Sequence, residues 1–436
     1  MFCVMNRRFS VLVISSVWWA AVTRLVDEFI ENGAEIHAVC PIGHSLRCLR
    51  GVASFRTYPC FHAASALSAY ILEIRPDLIV PADDRTVRAL HDVFRRADAE
   101  TETGRFLRHV IEKSLGKSEY FPDIEMRLSL IDILRAEGIA TPAAAEIHCV
   151  EDLRTWCARV PGPWVLKRDR SSGGSGVTIT DTWEETENCF RRLSQPVRMA
   201  SALRVLLADR DIYTFMDAAV RKNSAVIAQE YIEGMPANIM AACSEGKILD
   251  TLGVDVVSYQ GRTGAATVIA VTQSAEMEHA ARVACARLKL SGFFGLDFVR
   301  SAKSGTYHLI EMNPRLTQIG HLNCDGRTVG SQLLFHMRGD RTEARSVPRN
   351  AVTIDGRRTV ALFPQILRAG DVDIASACPD VPWQNPNLVK ELLLPPWSRR
   401  GYIARLEEKI RHDVPYGKTL KRQDAVKRLR ALASAG

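Results

Sequence analysis

The chain has 436 residues, 47% hydrophobic and 25% charged, the composition of a water-soluble globular protein rather than of a disordered chain. That length exceeds one ordinary core, so about two to four domains are expected. The formal net charge of +7 sits in the tail: from Arg399 onward there are 11 Lys/Arg against 4 Asp/Glu. A basic tail can touch nucleic acid or anionic lipid, but a solvated helical face accounts for it, and nucleic acid is not an expected partner. The eleven cysteines are scattered singly with no Cys-x-x-Cys, which argues for free thiols in a reducing, cytoplasmic setting over a disulfide framework or a zinc site.

Arg7-Arg8 followed by the run Phe9 to Val22 has the look of a signal peptide. The apolar stripe continues, however, through Val22, Leu25, Val26, Phe29 and Ile30 at helical spacing and stops at Gly33. Glu35–Cys40 then reads as a strand, so Phe9–Ile14 is better taken as a buried first strand. No other apolar run is long enough to span a bilayer. Phe9–Ile14, Glu35–Cys40 and Leu78–Val80, alternating with helical segments 22–32, 63–74 and 86–97, predict an open α/β domain. Such sheets bind ligands beyond the carboxyl ends of their strands, occupied here by Ser15-Ser16 and Pro81-Ala-Asp-Asp84. Asp83 and Asp84 are read either as cleft residues or as caps of the following helix. G-x-G-x-x-G is absent, so no dinucleotide site is expected.

Residues 114–120 read as a connection and Ile124 to Glu137 as one helix ending at Gly138. Trp164-Val-Leu-Lys167 is a strand. The loop Arg168 to Gly176, rich in glycine and serine, follows, and then the strand Val177–Thr180. Glycines let backbone N–H groups close around a phosphate, and Lys167 precedes them, the reverse of the Walker A order. A flexible surface turn is the other reading of this loop. Residues 184–222 read as mainly helical. The strand Ala225–Tyr231 ends in Gln229-Glu-Tyr-Ile-Glu-Gly234, an apolar slot with polar edges that suits a purine or a plain edge turn. Residues 237–243 and 247–257 form a hairpin around Glu245-Gly246, and Met277–Leu290 a helix.

Gly295-Leu-Asp-Phe-Val-Arg300 and Tyr307-His-Leu-Ile-Glu-Met-Asn-Pro-Arg315 predict two strands joined by a polar turn, 301–306. Glu311 and Asn313 then share a face, and Asp297 opposes them across the hairpin. Two carboxylates and an amide oxygen make an all-oxygen site for Mg²⁺, with Arg315 beside it, hence a magnesium–nucleotide centre. Arg262 is read as a clamp for a substrate carboxylate or as a solvated turn arginine, and His321 as a base or a structural histidine. Residues 337–436 are Pro- and Arg-rich, end in helical segments 403–411 and 423–433, and match no motif. Capping the site, binding an acidic partner and oligomerisation are all open to them.

In this order the segments resemble the ATP-grasp superfamily, in particular its carboxylate–amine ligases and carbamoyl-phosphate-synthase-like members. The resemblance runs from the first strand to about residue 336. It implies a mixed α/β and α+β multidomain fold: a pre-ATP-grasp domain (1–115), a lid-bearing subdomain (116–230), a metal-binding subdomain (231–336) and a C-terminal extension (337–436). It implies that Lys167 contacts nucleotide phosphates under a loop formed by Gly173, Gly174 and Gly176. Glu230 would meet the adenine amino group, with Tyr231, Ile232 and Glu233 around the ring and ribose. Asp297, Glu311 and Asn313 would hold Mg²⁺, with Mn²⁺ as an alternative occupant, and Arg315 would stabilise the transferred phosphoryl group or the tetrahedral intermediate. The second nucleotide-binding Lys of the family is replaced by Arg127, a planar fork in place of a point charge, and Pro236 stands where a ribose-binding Glu is usual. The implied activity is ATP-dependent ligation of a small-molecule carboxylate to an amine through an acyl phosphate. Kinase- or carbamoyl-phosphate-type phosphorylation and a non-catalytic ATP-binding module are the alternatives, and a homo-oligomer stays open.

Overall fold

The computed structural model describes residues 8–168, 176–195, 199–210, 226–260, 264–324, 326–340, 359–368, 377–395 and 397–401, with a few single positions between 211 and 220. Three sheets organise them. In the first, β1 (Ser10–Ile14), β2 (Glu35–Cys40), β3 (Val52–Thr57) and β4 (Leu78–Pro81) lie in the order β3-β2-β1-β4, all parallel. Every β1 residue is buried, because side chains on both faces meet helices. Val11 and Val13 pack with Val22, Leu25, Val26 and Phe29 of α1 (Ala21–Glu31). Leu12 and Ile14 face α2 (Ala63–Ile74), α3 (Asp84–Arg96) and α4 (Glu102–Leu115). The expected alternation is present, with two corrections. Strand β3 is half exposed at the sheet edge and carries no apolar run to mark it. The expected connection at 114–120 is helical through Leu115, because Val110, Ile111 and Leu115 are buried in the core.

The expected single helix 124–137 is two, α5 (Phe121–Glu125) and α6 (Arg127–Ala136), separated by an extended Met126. Packing decides this: Phe121 stacks on His91 at 3.8 Å between ring centroids, while Leu130, Ile131 and Leu134 of α6 enter the same core. A second sheet, antiparallel, has the order β5-β8-β6-β7, from β5 (Ala144–Ile147), β6 (Trp164–Arg168), β7 (Val177–Thr180) and β8 (Val226–Glu230). Helices α7 (Val150–Arg159) and α8 (Trp183–Ser194) supply Leu153, Cys189, Phe190 and Leu193 to its core, and α9 (Met199–Asp209) follows.

The third sheet has seven strands: β9 (Gly234–Ser244), β10 (Lys247–Tyr259), β11 (Ala266–Thr272), β12 (Gly292–Ser301), β13 (Tyr307–Asn313), β14 (Thr359–Leu362) and β15 (Cys378–Asp380), in the order β13-β12-β9-β10-β11-β14-β15. Strands β14 and β15 come from the segment whose composition marks no strand. They are held in place by pairing with β11 and by Ile366, Leu367 and Ala377 at their back. The predicted helical segments 403–411 and 423–433 lie outside the described residues. Alternate β9 residues join the two hydrophobic layers of the first sheet: Ile239 and Ala241 the α4 side, Met240 and Ala242 the α1 side. The core therefore runs unbroken from the parallel sheet into the seven-stranded one. Gly292 sits at this junction with φ +80°, and a Cβ there would stand 2.2 Å from the Ser114 carbonyl. Gly292→Ala is expected to destabilise the chain by about 2 kcal/mol or more, read as a lower thermal midpoint with unchanged secondary structure.

The described cysteines are free thiols, and no described helix is long and apolar enough to cross a membrane.

Candidate functional site

The hairpin β12–β13 brings Asp297 directly opposite Glu311, and β9 brings Asn238 opposite Asp297 on its other side. Three polar residues thus lie in a row across three strands. Asn238 Nδ2 donates to one Asp297 carboxylate oxygen, and Asn313 Nδ2 donates to the other at 2.8 Å. Burial pushes the Asp297 carboxyl up from its ordinary range, opposed by those two hydrogen bonds and by the charges of Arg315 and Lys167. Lys167 itself comes from β6 of the second sheet. Lys167 is 9% exposed and pairs in register with Val177 and Ile227.

Arg315 is the node of the site. Its Nε donates to Asp84 Oδ1 at 3.0 Å, and NH2 donates to Asn313 Oδ1 at 2.9 Å and to Asp84 Oδ2 at 3.4 Å. The guanidinium lies 5.2 Å from the Trp19 ring centroid. Burial works against its charge, but Asp84, Asp83 and Glu311 outweigh burial and raise its pKa. The two aspartates that end β4 divide the roles foreseen for them. Asp83 caps α3 through the Thr86 N–H and accepts the Ser16 N–H and hydroxyl, each at 2.7 Å. Asp84 reaches into the site and holds Arg315. The carboxyl end of the parallel sheet thereby meets the end of β13, where open α/β sheets place ligands.

At the other end of β8, Glu230 Oε2 accepts the Ala143 N–H at 3.0 Å, a partner that nothing in the sequence indicates. Tyr231 and Ile232 are half-buried, and the Glu233 carbonyl accepts the Ala302 N–H at 2.8 Å, tying the crossing segment 231–233 to the β12–β13 turn. Gly234 opens β9, where a Cβ would meet the Arg300 carbonyl at 2.0 Å. Gly176 has φ +93°, and its carbonyl accepts the Arg168 N–H. Gly173, Gly174 and Arg262 lie outside the described residues. Arg127 is the first residue of α6. His321 Nε2 is 2.9 Å from Asp380 Oδ2, in a network that also includes Arg24.

The donors suit a hard divalent cation. Glu311 and Asn313 offer oxygens from the same face of β13, and Asp297 stands opposite. The oxygens of Asp297 and Asn313 that accept N–H bonds are thereby oriented, and each keeps a second lone pair. No described group of three or more His, Cys, Asp or Glu side chains is set to hold a metal. Two carboxylates and an amide match an ion that takes few protein ligands and completes its shell with phosphate and water. Asn238 is the site residue that the sequence does not single out; its only signal is one amide inside an otherwise apolar strand.

Residues 125–318 match the ATP-grasp domain family. No curated protein matches the chain. Among solved structures, it is similar to N5-carboxyaminoimidazole synthetase from Staphylococcus aureus complexed with ADP, at TM-score 0.55 and 12% identity over 77% of this chain and 79% of that one. It is also similar to the biotin carboxylase domain of the 2-oxoglutarate carboxylase of Hydrogenobacter thermophilus, complexed with MgADP, ADP and bicarbonate. There the TM-score is 0.54 at 16% identity, covering 77% of this chain and 70% of that one. For L-amino acid ligase from Bacillus licheniformis the values are TM-score 0.51, 14% identity, and 77% and 75% coverage. At these identities the likeness is one of fold.

Proposed function

Because residues 125–318 form an ATP-grasp domain, we propose that the chain is an ATP-dependent ligase that joins a carboxylate to an amine through an acyl phosphate, with Mg²⁺. The observation that carries this reading is Arg315, fixed by Asp84 and Asn313, beside the row formed by Asn238, Asp297 and Glu311. A fixed arginine beside a row of oxygen donors is half of the charge arrangement that a transferring phosphoryl group requires, and on this reading Lys167 of β6 is the other half. The solved neighbours include a synthetase complexed with ADP and an L-amino acid ligase, which agrees with it.

A carboxylate resists attack by an amine because oxide is a poor leaving group; phosphorylation replaces oxide with phosphate. On this reading Lys167 neutralises the nucleotide phosphates. Glu230 and the segment Tyr231-Ile232-Glu233 bind the adenosine end. Asp297, Glu311 and Asn313 hold the metal; when bound, Mg²⁺ neutralises phosphate oxygens during transfer. Arg315, fixed by Asp84 and Asn313, needs no reorganisation to meet charge developing on the phosphoryl group or on the tetrahedral oxyanion. Residues 116–230 then act as the lid-bearing half and 231–336 as the floor.

The test is ADP release from ATP and Mg²⁺ with pooled amino acids, with products weighed by mass spectrometry. ADP together with an amide supports ligation. ADP without an amide points to phosphorylation alone, and nucleotide binding without turnover overturns the enzymatic reading. Lys167→Ala is expected to weaken ATP binding about tenfold or more, measured by calorimetry, because a charge-assisted contact to phosphate is lost. Unchanged affinity removes Lys167 from the nucleotide site.

A further inference from the structure

Asn238 stands in an apolar stretch of β9, between Ala237 and Ile239, both buried. A side-chain amide in such a place is costly unless its groups are bonded, and here each of them is. Its Nδ2 donates to Asp297 Oδ1 and to the Leu296 carbonyl, the latter at 3.2 Å, and its Oδ1 accepts the Thr317 hydroxyl at 3.4 Å. Thr317 comes this close because Gly295 has no side chain: a Cβ there would stand 2.2 Å from Thr317 Cγ2. The amide cannot be turned over, since reversal would set its oxygen against the oxygens of Asp297 and Leu296. Asn313 is oriented in the same way, with Nδ2 on Asp297 Oδ2 and Oδ1 accepting from Arg315.

Two oriented amides therefore hold the Asp297 carboxylate from opposite sides. Strand β12 lies between β9 and β13. Oδ1 is drawn toward Asn238 on β9, and Oδ2 toward Asn313 on β13, the strand that carries Glu311. An ion shared by Glu311, Asn313 and Asp297 then meets Oδ2 and not Oδ1. Contact through one oxygen suits Mg²⁺, which is small, octahedral and bound through few carboxylates, with phosphate and water completing its shell. Ca²⁺ takes about six to eight oxygens at longer distances and readily uses both oxygens of one carboxylate.

We propose that Asn238 is a positioning residue that restricts Asp297 to one coordinating oxygen and so sets a preference for Mg²⁺ over Ca²⁺, with Thr317 orienting the amide. This rests on the metal set in the function proposed above. The carboxylates alone would accept either ion; the choice between them lies with a residue that does not touch the metal.

The experiment loads the full chain with Mn²⁺, with and without ADP, and displaces it with magnesium or calcium chloride, reading free Mn²⁺ by electron paramagnetic resonance. Each variant is melted in parallel. The unaltered chain is expected to release Mn²⁺ at a lower concentration of Mg²⁺ than of Ca²⁺; the reverse order overturns the proposal. Asn238→Leu has nearly the same shape and no donor, so Oδ1 is free to turn toward the ion. Its affinity for Ca²⁺ relative to Mg²⁺ is expected to rise about tenfold. Thr317→Val leaves the amide in place but unoriented, and should raise the same ratio about threefold. An unchanged ratio in Asn238→Leu overturns the proposal and leaves the ligase reading standing. So does an equal loss of both affinities, since Asn238 is then only structural. If Asn238→Leu fails to fold, Thr317→Val decides alone: a raised ratio supports the proposal and an unchanged one overturns it. Absence of Mn²⁺ binding by the unaltered chain, with and without ADP, overturns the metal set and the selectivity together.

Discussion

Arg315→Ala is expected to lose turnover and stability together, and the two losses are separable. The guanidinium spans Asp84 on the first sheet and Asn313 on the third, with 13% of its side chain exposed. Removing it breaks a largely buried ion pair with Asp84, which costs about 3 kcal/mol or more. Removing a preorganised charge from the phosphoryl site lowers ADP release on the order of 10²–10³-fold. Arg315→Lys keeps a positive charge against Asp84, so it should recover most of the thermal midpoint, while the lost planar fork leaves the rate depressed. Full ADP release by Arg315→Ala would take Arg315 out of the chemistry.

Glu311→Ala should behave differently. Glu311 is half-buried at the edge of the sheet, on the last strand of the row, and the core beneath it is made by Leu309 and Met312. Its loss removes a carboxylate from the proposed metal set while Asp297 keeps both of its amide partners. Turnover is expected to fall about 10²–10³-fold while the melting curve stays within error. Added Mg²⁺ should recover little of it, since the defect is in geometry as well as affinity. ADP release measured across a Mg²⁺ titration, beside a thermal melt, decides this. Normal turnover excludes Glu311 from the mechanism.

The β12–β13 hairpin was legible because its signal is local. Strand alternation fixes Glu311 and Asn313 on one face, and the short polar turn fixes Asp297 opposite. Asn238 was hidden because its partner lies fifty-nine positions away on a strand brought alongside by topology. Asp83 and Asp84 show the same limit at closer range: either can cap a helix, and only the packed structure assigns the cap to Asp83 and Arg315 to Asp84. Strands β1, β2 and β4 were readable as continuous apolar runs; the half-exposed β3 was not. The break at Met126 had no Pro or Gly to announce it, since it is imposed by where Phe121 and Leu130 find their core. The ATP-grasp resemblance itself rested on the order of four segments, and the match over residues 125–318 covers three of them: the glycine loop, the segment 230–234 and the whole β12–β13 hairpin.

Strand β14 has a consequence beyond the site. It covers Val268–Ala270 of β11, so the backbone groups there, beside the apolar residues Val268 and Ile269, are paired within the chain. Left bare, that border would be a template on which a second molecule could add strand to strand, the route by which sheets grow into aggregates. A shortened chain ending near residue 336 would expose this seam, so its insolubility would say nothing about whether the nucleotide cleft had formed.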